Sequence, residues 1–361
     1  RRRRRTGLWI FLACLAVVLG VAAGSWIWYL LPAGSSADPF EYRYDHGWEE
    51  EEDASGAVTI PTYPFGEGAV LVETDHGREL TAQEIYQRVN PSVVTVMVQL
   101  DDSVSVGTGV IFRADGYILT NYHVLAGGRD CTVAMDTGRT YEARYVAGDE
   151  RNDLAVLKVE LTGLPAATFG DSDQLVVGDK VYAIGNPLRL ELRGTFTDGI
   201  VSALDRDVDV DGVSMVLIQT SAAINMGNSG GALINQYGQV VGITTVKIVT
   251  DDGSAEALGF AIPSRRVKYV ADTLIAGKTV RRGIFGFTVL TRPAQGGGLT
   301  LDSVDKASDA YAQGLRAGDV LIAANGQSLN AVEDLVRLKQ SLGAGDAVSL
   351  TYVRDGQSYT A

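Results

Sequence analysis

The spacing of apolar and polar residues divides the chain into four stretches. Residues 8–31 form a run of 24 without a single charge. As a helix rising ~1.5 Å per residue, this run would span about 36 Å, enough for a hydrocarbon core of ~30 Å. Trp26, Trp28 and Tyr29 lie near its end, where aromatic rings favour the membrane interface. The run is therefore read as a transmembrane helix, preceded by a basic segment (residues 1–7) that stays cytoplasmic and places the rest of the chain outside. A cleaved leader is the alternative, because Ala33, Gly34, Ser35, Ser36 and Ala37 follow; the apolar part of such a leader is usually only about 7–15 residues. Residues 32–80 mix Pro, Gly, acids and scattered aromatics without a sustained period, as in an acidic flexible linker.

From residue 81 to 277 the pattern changes. A short helix is predicted over 84–89, stopped by Asn90-Pro91. Runs of β-branched residues then recur between Gly and Asp turns, predicting strands over 93–100, 109–112, 117–120, 132–135, 154–159, 180–184, 199–203, 215–220, 231–234 and 240–246. Ala114-Asp115-Gly116 and Gln236-Tyr237-Gly238 are turn signals between them. Many short strands without intervening helices imply a mainly β domain, a sandwich or a pair of barrels. Around residues 274–282 this pattern breaks, and 278–361 reads as a smaller α+β unit. In it, Asn325-Gly326 marks a tight turn. Asn330 caps a helix with Glu333 in the capping-box position, and Ala331, Leu335, Leu338 and Leu342 form its apolar stripe. Gly343 ends that helix, and 348–361 reads as one hairpin around Arg354-Asp355-Gly356.

Charge and composition narrow the chemistry. The net charge is −13, which argues against nucleic-acid binding because phosphate contacts need clustered Lys and Arg. Two cysteines give no disulfide framework, and three histidines without a Cys/His cluster give no structural zinc site. No metal or cofactor is called for.

The sharpest local signal is Gly227-Asn228-Ser229-Gly230-Gly231. A serine between glycines suits a tight loop in which backbone N–H groups converge beside the hydroxyl, as nucleophilic attack on a carbonyl requires. Gly227, Asn228 and Ser229 supply the backbone of this oxyanion loop, with the N–H groups of Gly227 and Ser229 as donors. A serine nucleophile needs a base. His46 and His76 fall in the linker, leaving His123 as the one histidine of the folded body. Asp153, directly before an apolar strand, is placed to accept the second imidazole N–H. The chain order His, Asp, Ser is that of double-barrel serine proteases.

The segments around these three residues resemble the catalytic blocks of the HtrA (Deg) serine proteases. Val89-Asn90-Pro91-Ser92-Val93-Val94, Gly185-Asn186-Pro187-Leu188 and Leu258-Gly259-Phe260-Ala261-Ile262-Pro263 match in family order. The resemblance implies a trypsin-like fold of two six-stranded barrels over 81–277, with His123 as base, Asp153 as its orienter and Ser229 as nucleophile. Ser221, Met226, Ala232 and Arg189 depart from the usual family residues, and Met226 loosens a loop that proline would stiffen. By the same fold, Ala222, Ala223, Ile224, Ile243 and Thr244 wall the primary pocket. None is acidic, which favours a small aliphatic residue before the cleaved bond. Residues 278–361 resemble a PDZ domain. That resemblance implies peptide binding by strand addition at Ile284, Phe285, Gly286 and Phe287, with Leu335 and Leu338 lining the groove.

The expectation is thus a serine endopeptidase held in the cell membrane by one helix, its protease domain extracytoplasmic. It would act on unfolded or damaged proteins as a homotrimer and take C-terminal peptides at the PDZ domain. A dedicated signalling protease, or a chaperone-like binding module on a dormant protease fold, are the rival expectations.

Overall fold

Strands whose consecutive residues are all apolar are buried on both faces, and that burial sets the architecture. The computed structural model describes residues 57–361 except 187–192, 211–212, 226, 246–258, 282, 291, 293, 295 and 341. The expected membrane span at 8–31, the basic segment before it and Met226 lie outside the described residues. Among the described residues no helix is long and apolar enough to cross a membrane.

The strands, in chain order, are β1 (Val72–Glu73), β2 (Val93–Gln99), β3 (Val104–Arg113), β4 (Tyr117–Thr120), β5 (Asp130–Ala134), β6 (Thr140–Glu142), β7 (Arg144–Asp149) and β8 (Leu154–Lys158). They continue with β9 (Phe169–Gly170), β10 (Lys180–Gly185), β11 (Thr195–Val210), β12 (Val213–Thr220), β13 (Ala232–Asn235), β14 (Val240–Thr245) and β15 (Gly259–Pro263). The first sheet runs β6-β5-β2-β3-β4-β8-β7. The second runs β1-β9-β14-β13-β10-β11-β12-β15, and β15 pairs back onto β14. That pairing closes six strands into a barrel, as the resemblance implied. The first sheet has seven strands rather than six.

Period-2 alternation sends neighbouring residues into different cores. In β8, Ala155 and Leu157 enter the core of the first sheet, whereas Leu154 and Val156 enter the layer between the two sheets. In β13 and β14, Leu233 and Val241 fill the second barrel, whereas Ile234, Val240 and Ile243 face that shared layer. A helix not foreseen from the sequence, Ser264–Ile275, covers the shared layer with Val267, Val270, Ala271, Leu274 and Ile275. The predicted helix before the first sheet is α1 (Ala82–Val89), with a complete capping box between Thr81 and Glu84. A single helical turn, α2 (Tyr122–Leu125), follows β4, and Ser264–Ile275 is α3.

The linker ends earlier than its composition suggests. From residue 57 the chain is a strap across both barrels. Thr59 N–H donates to Gly128 O (2.8 Å), Tyr63 N–H to Tyr145 O (2.8 Å) and Leu80 N–H to Gln236 O (2.9 Å). Ile60 and Val70 are buried in the first-barrel core and the shared layer respectively. His76 consequently belongs to the folded body, stacked on Tyr237 with ring centroids 4.6 Å apart. Strand addition to β9 and two apolar anchors hold the strap, although its sequence has no period.

The C-terminal unit has its own core around Leu299, Leu321, Leu335 and Tyr352. Its sheet follows the order β16 (Phe287–Val289), β17 (Leu299–Val304), β18 (Val320–Ala324), β20 (Leu350–Arg354), β21 (Gln357–Thr360), with β19 (Gln327–Ser328) beside β18. Two helices complete it, α4 (Asp309–Ala312) and α5 (Val332–Gln340). The expected hairpin is present, with Asp355 and Gly356 both at positive φ (51° and 79°). At α5, Asp334 rather than Glu333 reaches back, accepting from Asn330 N–H (2.8 Å) and Ala331 N–H (3.0 Å).

Two measurements check this packing. Ile60→Ala is expected to destabilise the body by about 3 kcal/mol in urea unfolding, whereas Leu71→Ala, at an exposed strap position, stays close to neutral. Burial pushes the Cys131 thiol up to about 12, so Cys131 is expected to resist aromatic disulfide reagents at pH 8 until the chain is unfolded.

Candidate active site

Antiparallel pairing of β4 with β8 brings the predicted base and acid together. Thr120, the last residue of β4, lies opposite Ala155 near the start of β8. The chain just beyond one strand therefore meets the chain just before the other. His123 sits in α2, and its Nδ1 lies 2.9 Å from both carboxylate oxygens of Asp153. The His123 backbone N–H also donates to Asp153 Oδ1 (3.0 Å). With Nδ1 facing a carboxylate, the proton belongs on Nδ1 and the lone pair on Nε2, the tautomer a general base requires.

Asp153 is only 1% exposed, and a buried carboxylate is costly unless it accepts several hydrogen bonds. Its remaining donor comes from the second barrel: Thr245 Oγ1, at the end of β14, donates to Oδ2 (3.0 Å). Sequence reasoning missed Thr245. The signal was its position after Thr244, because adjacent strand residues face opposite ways. Thr244 Oγ1 donates to Asn228 O (2.6 Å) on the other side.

That contact belongs to the nucleophile loop. Gly227 and Gly230 have φ of 92° and 84°, conformations only glycine adopts without strain. A Cβ on Gly230 would also collide with the Thr108 carbonyl oxygen. Thr108 fixes the loop at two points: its hydroxyl donates to Gly227 O (2.6 Å) and its N–H to Ser229 O (2.8 Å). Asn228 N–H donates to Asn225 O (2.9 Å) and Gly230 N–H to Thr244 O (2.9 Å). Asn228 therefore contributes no oxyanion donor. The N–H groups of Gly227 and Ser229 have no acceptor among the described residues. Gly107 ties this loop to the histidine turn, since a Cβ there would lie 2.7 Å from Val124 Cγ2 and 3.3 Å from Ser229 O. Among the described residues no hydrogen bond joins the Ser229 hydroxyl to the His123 ring.

The expected pocket walls divide. Ala222, Ala223 and Ile224 lie on the segment that leads from β12 into the loop, Ala222 buried and Ala223 exposed. Ile243 is not a pocket residue: it points into the layer between the sheets. Thr244 is not one either, because its hydroxyl braces Asn228. Residues 246–258, which follow them, lie outside the described residues.

Among the described residues, β16 is an edge strand of the C-terminal sheet. Gly286, just before it, has φ 71°, and Gly286 O accepts from Asp305 N–H (2.8 Å). Phe285 and Phe287 stack with centroids 5.3 Å apart, and Ile284 is 77% exposed. Leu335 is a buried core residue, and the half-buried Leu338 packs against the same core.

Comparison with known proteins agrees with this arrangement. The trypsin-like peptidase domain family matches residues 107–243 and the PDZ domain family residues 283–361. The chain is 40% identical over 266 residues to a probable periplasmic serine protease do/HhoA-like of Haemophilus influenzae, covering 70% of this chain and 56% of that protein. It is 40% identical over 283 residues to the serine protease Do-like HtrA of Lactococcus lactis subsp. lactis, covering 71% of this chain and 69% of the relative. Among solved structures it resembles the HtrA-type protease AlgW with tripeptide, at 33% identity and a TM-score of 0.61, covering 78% of this chain and 95% of that one.

Removing the cross-barrel hydroxyl tests the geometry. Thr245→Val is expected to lower kcat about tenfold, roughly 1.4 kcal/mol of transition-state stabilisation, with KM nearly unchanged in steady-state assays.

Proposed function

The chain belongs to the Do-like HtrA family of serine proteases, and from that membership we propose a serine endopeptidase that cleaves exposed polypeptide segments through an acyl-enzyme. The carrying observation is the buried Asp153 carboxylate gripping both the ring and the backbone of His123, next to a loop with two uncommitted N–H donors. In the proposed reaction His123 Nε2 takes the Ser229 proton as Oγ attacks the scissile carbonyl. The oxyanion forms beside the N–H groups of Gly227 and Ser229. The C–N bond then breaks as His123 returns the proton to the leaving amine, leaving an ester on Ser229. Water, deprotonated by the same imidazole, releases the acid product and restores the hydroxyl.

Apolar Ala222 and Ile224 support a small aliphatic residue at the position before the cut, since a charged side chain would be buried unpaired. The edge strand β16 and the exposed Ile284 support capture of a C-terminal peptide. The apolar run at 8–31 supports a single membrane anchor with an extracytoplasmic protease domain, in keeping with the periplasmic naming of relatives. Family membership suggests a homotrimer and unfolded or damaged proteins as substrates.

One observation favours regulation through the PDZ unit. Asp205, at φ 53° in the irregular part of the β11–β12 hairpin, accepts from Arg337 Nη2 (3.2 Å) and Gln340 Nε2 (3.1 Å) of α5. Burial raises the Asp205 carboxyl above its ordinary range, with Arg337 opposing. Such a contact lets peptide binding at the PDZ unit act on the protease barrel.

Two experiments test the proposal. Ser229→Ala should abolish casein cleavage and fluorophosphonate labelling together, and cleavage that survives the substitution rejects the nucleophile. Asp205→Ala should raise the peptide-free rate and blunt stimulation by a hydrophobic C-terminal peptide, and unchanged values of both count against coupling.

A further inference from the structure

We infer that Asn121 is a positioning residue for the His123–Asp153 pair, pinning the backbone of the acid so that its carboxylate meets the imidazole squarely. The inference rests on the serine-protease reading above. Asn121 is fully buried and occupies the N-cap of α2 with an extended backbone (φ −79°, ψ 148°). An asparagine in that place ordinarily accepts a hydrogen bond from an N–H of the first turn. This one makes no capping bond. Its Nδ2 instead donates to the Asp153 carbonyl (2.8 Å), and among the described residues no other donor meets that oxygen.

The cap is supplied from across the site. The backbone N–H of His123, the second residue of the turn, donates to Asp153 Oδ1 (3.0 Å). The two turns therefore exchange side chains: the aspartate caps the histidine turn, and the asparagine of the histidine turn holds the aspartate. Asp153 needs that hold because its φ is 50°, a left-handed conformation unfavourable for a residue with a Cβ. Its own N–H donates to Glu150 O (3.0 Å). Released, the residue would relax toward negative φ and swing the carboxylate away from Nδ1. The amide is not there to complete a buried polar network, because Asn121 Oδ1 has no partner among the described residues. Among the described residues, the bond that the amide makes is the one to the acid.

Asn121→Ser separates positioning from simple stability. Serine is a good N-cap, so α2 is kept, but its hydroxyl is too short to reach the Asp153 carbonyl. The expected result is a melting temperature close to wild type, kcat reduced 10–100-fold and KM within twofold. The downfield proton resonance of His123 Nδ1–H should move upfield. Asn121→Ala, normalised to folded fraction by circular dichroism, should show the same kcat loss and upfield resonance shift alongside a lower melting temperature. Variants that keep the wild-type kcat and Nδ1–H resonance per folded molecule, whatever their melting temperature, overturn the inference. A wild-type chain unable to cleave casein or label with fluorophosphonate would instead remove the protease reading, and the inference with it.

Discussion

The carboxylate of Asp153 is the point on which the structure turns. Placing an ionised group at 1% exposure is tolerable only if its lone pairs are filled, and the donors come from different parts of the fold. The histidine turn supplies two, the ring and the backbone N–H. The second barrel supplies the third through Thr245. The same requirement that makes the acid stable thus fixes one barrel against the other. Helix α3 adds to this from behind: Arg266 Nε donates to Asn152 Oδ1 (2.8 Å), and Asn152 in turn donates through its N–H to Asp149 Oδ1 (2.7 Å). The turn that carries Asp153 is thus held also by bonds that do not involve His123.

Glycine marks the places where backbones must come closer than side chains allow. Gly107 lies between Val124 and the Ser229 carbonyl, and a Cβ on Gly185 would lie 2.5 Å from Asn228 Oδ1. Neither position needs left-handed backbone, so their constraint is space alone. At Gly230 space and φ act together. Thr108 and Thr244 brace the loop at Gly227, Asn228, Ser229 and Gly230, while the N–H groups of Gly227 and Ser229 have no acceptor among the described residues. Such preorganisation is what stabilisation of a developing oxyanion requires.

The strands, the hairpin at 348–361 and the histidine–aspartate pairing were legible because each follows from local pattern: alternation, turn residues, and residue types whose chemistry needs one another. Three features were not. The strap from residue 57 has no hydrophobic period, and only its docking partners give Ile60 and Val70 a buried face. Helix α3 begins at Pro263-Ser264 directly after β15 and lacks a side-chain cap at its start, so no stop-and-start signal announces it. The pocket assignment of Ile243 and Thr244 failed for a geometric reason: a strand buried on both faces hides its phase. Two residues one position apart then serve a hydrophobic layer and a hydrogen-bonded loop.

The long hairpin β11–β12 links these parts. Its irregular stretch, with register shifts on either side of Ala203, carries Asp205 to α5 of the PDZ unit, while its return strand runs straight into the segment 221–229. The strand itself is stiff, paired with β11 on one side and β15 on the other. Asp205 and the segment that leads to Ser229 are thus joined through the paired strands β11 and β12. Asp153 and His123 sit in the other barrel, held by their own exchange of donors. Thr245 of β14 ties that pair to the barrel that carries the loop, so both barrels contribute to holding it.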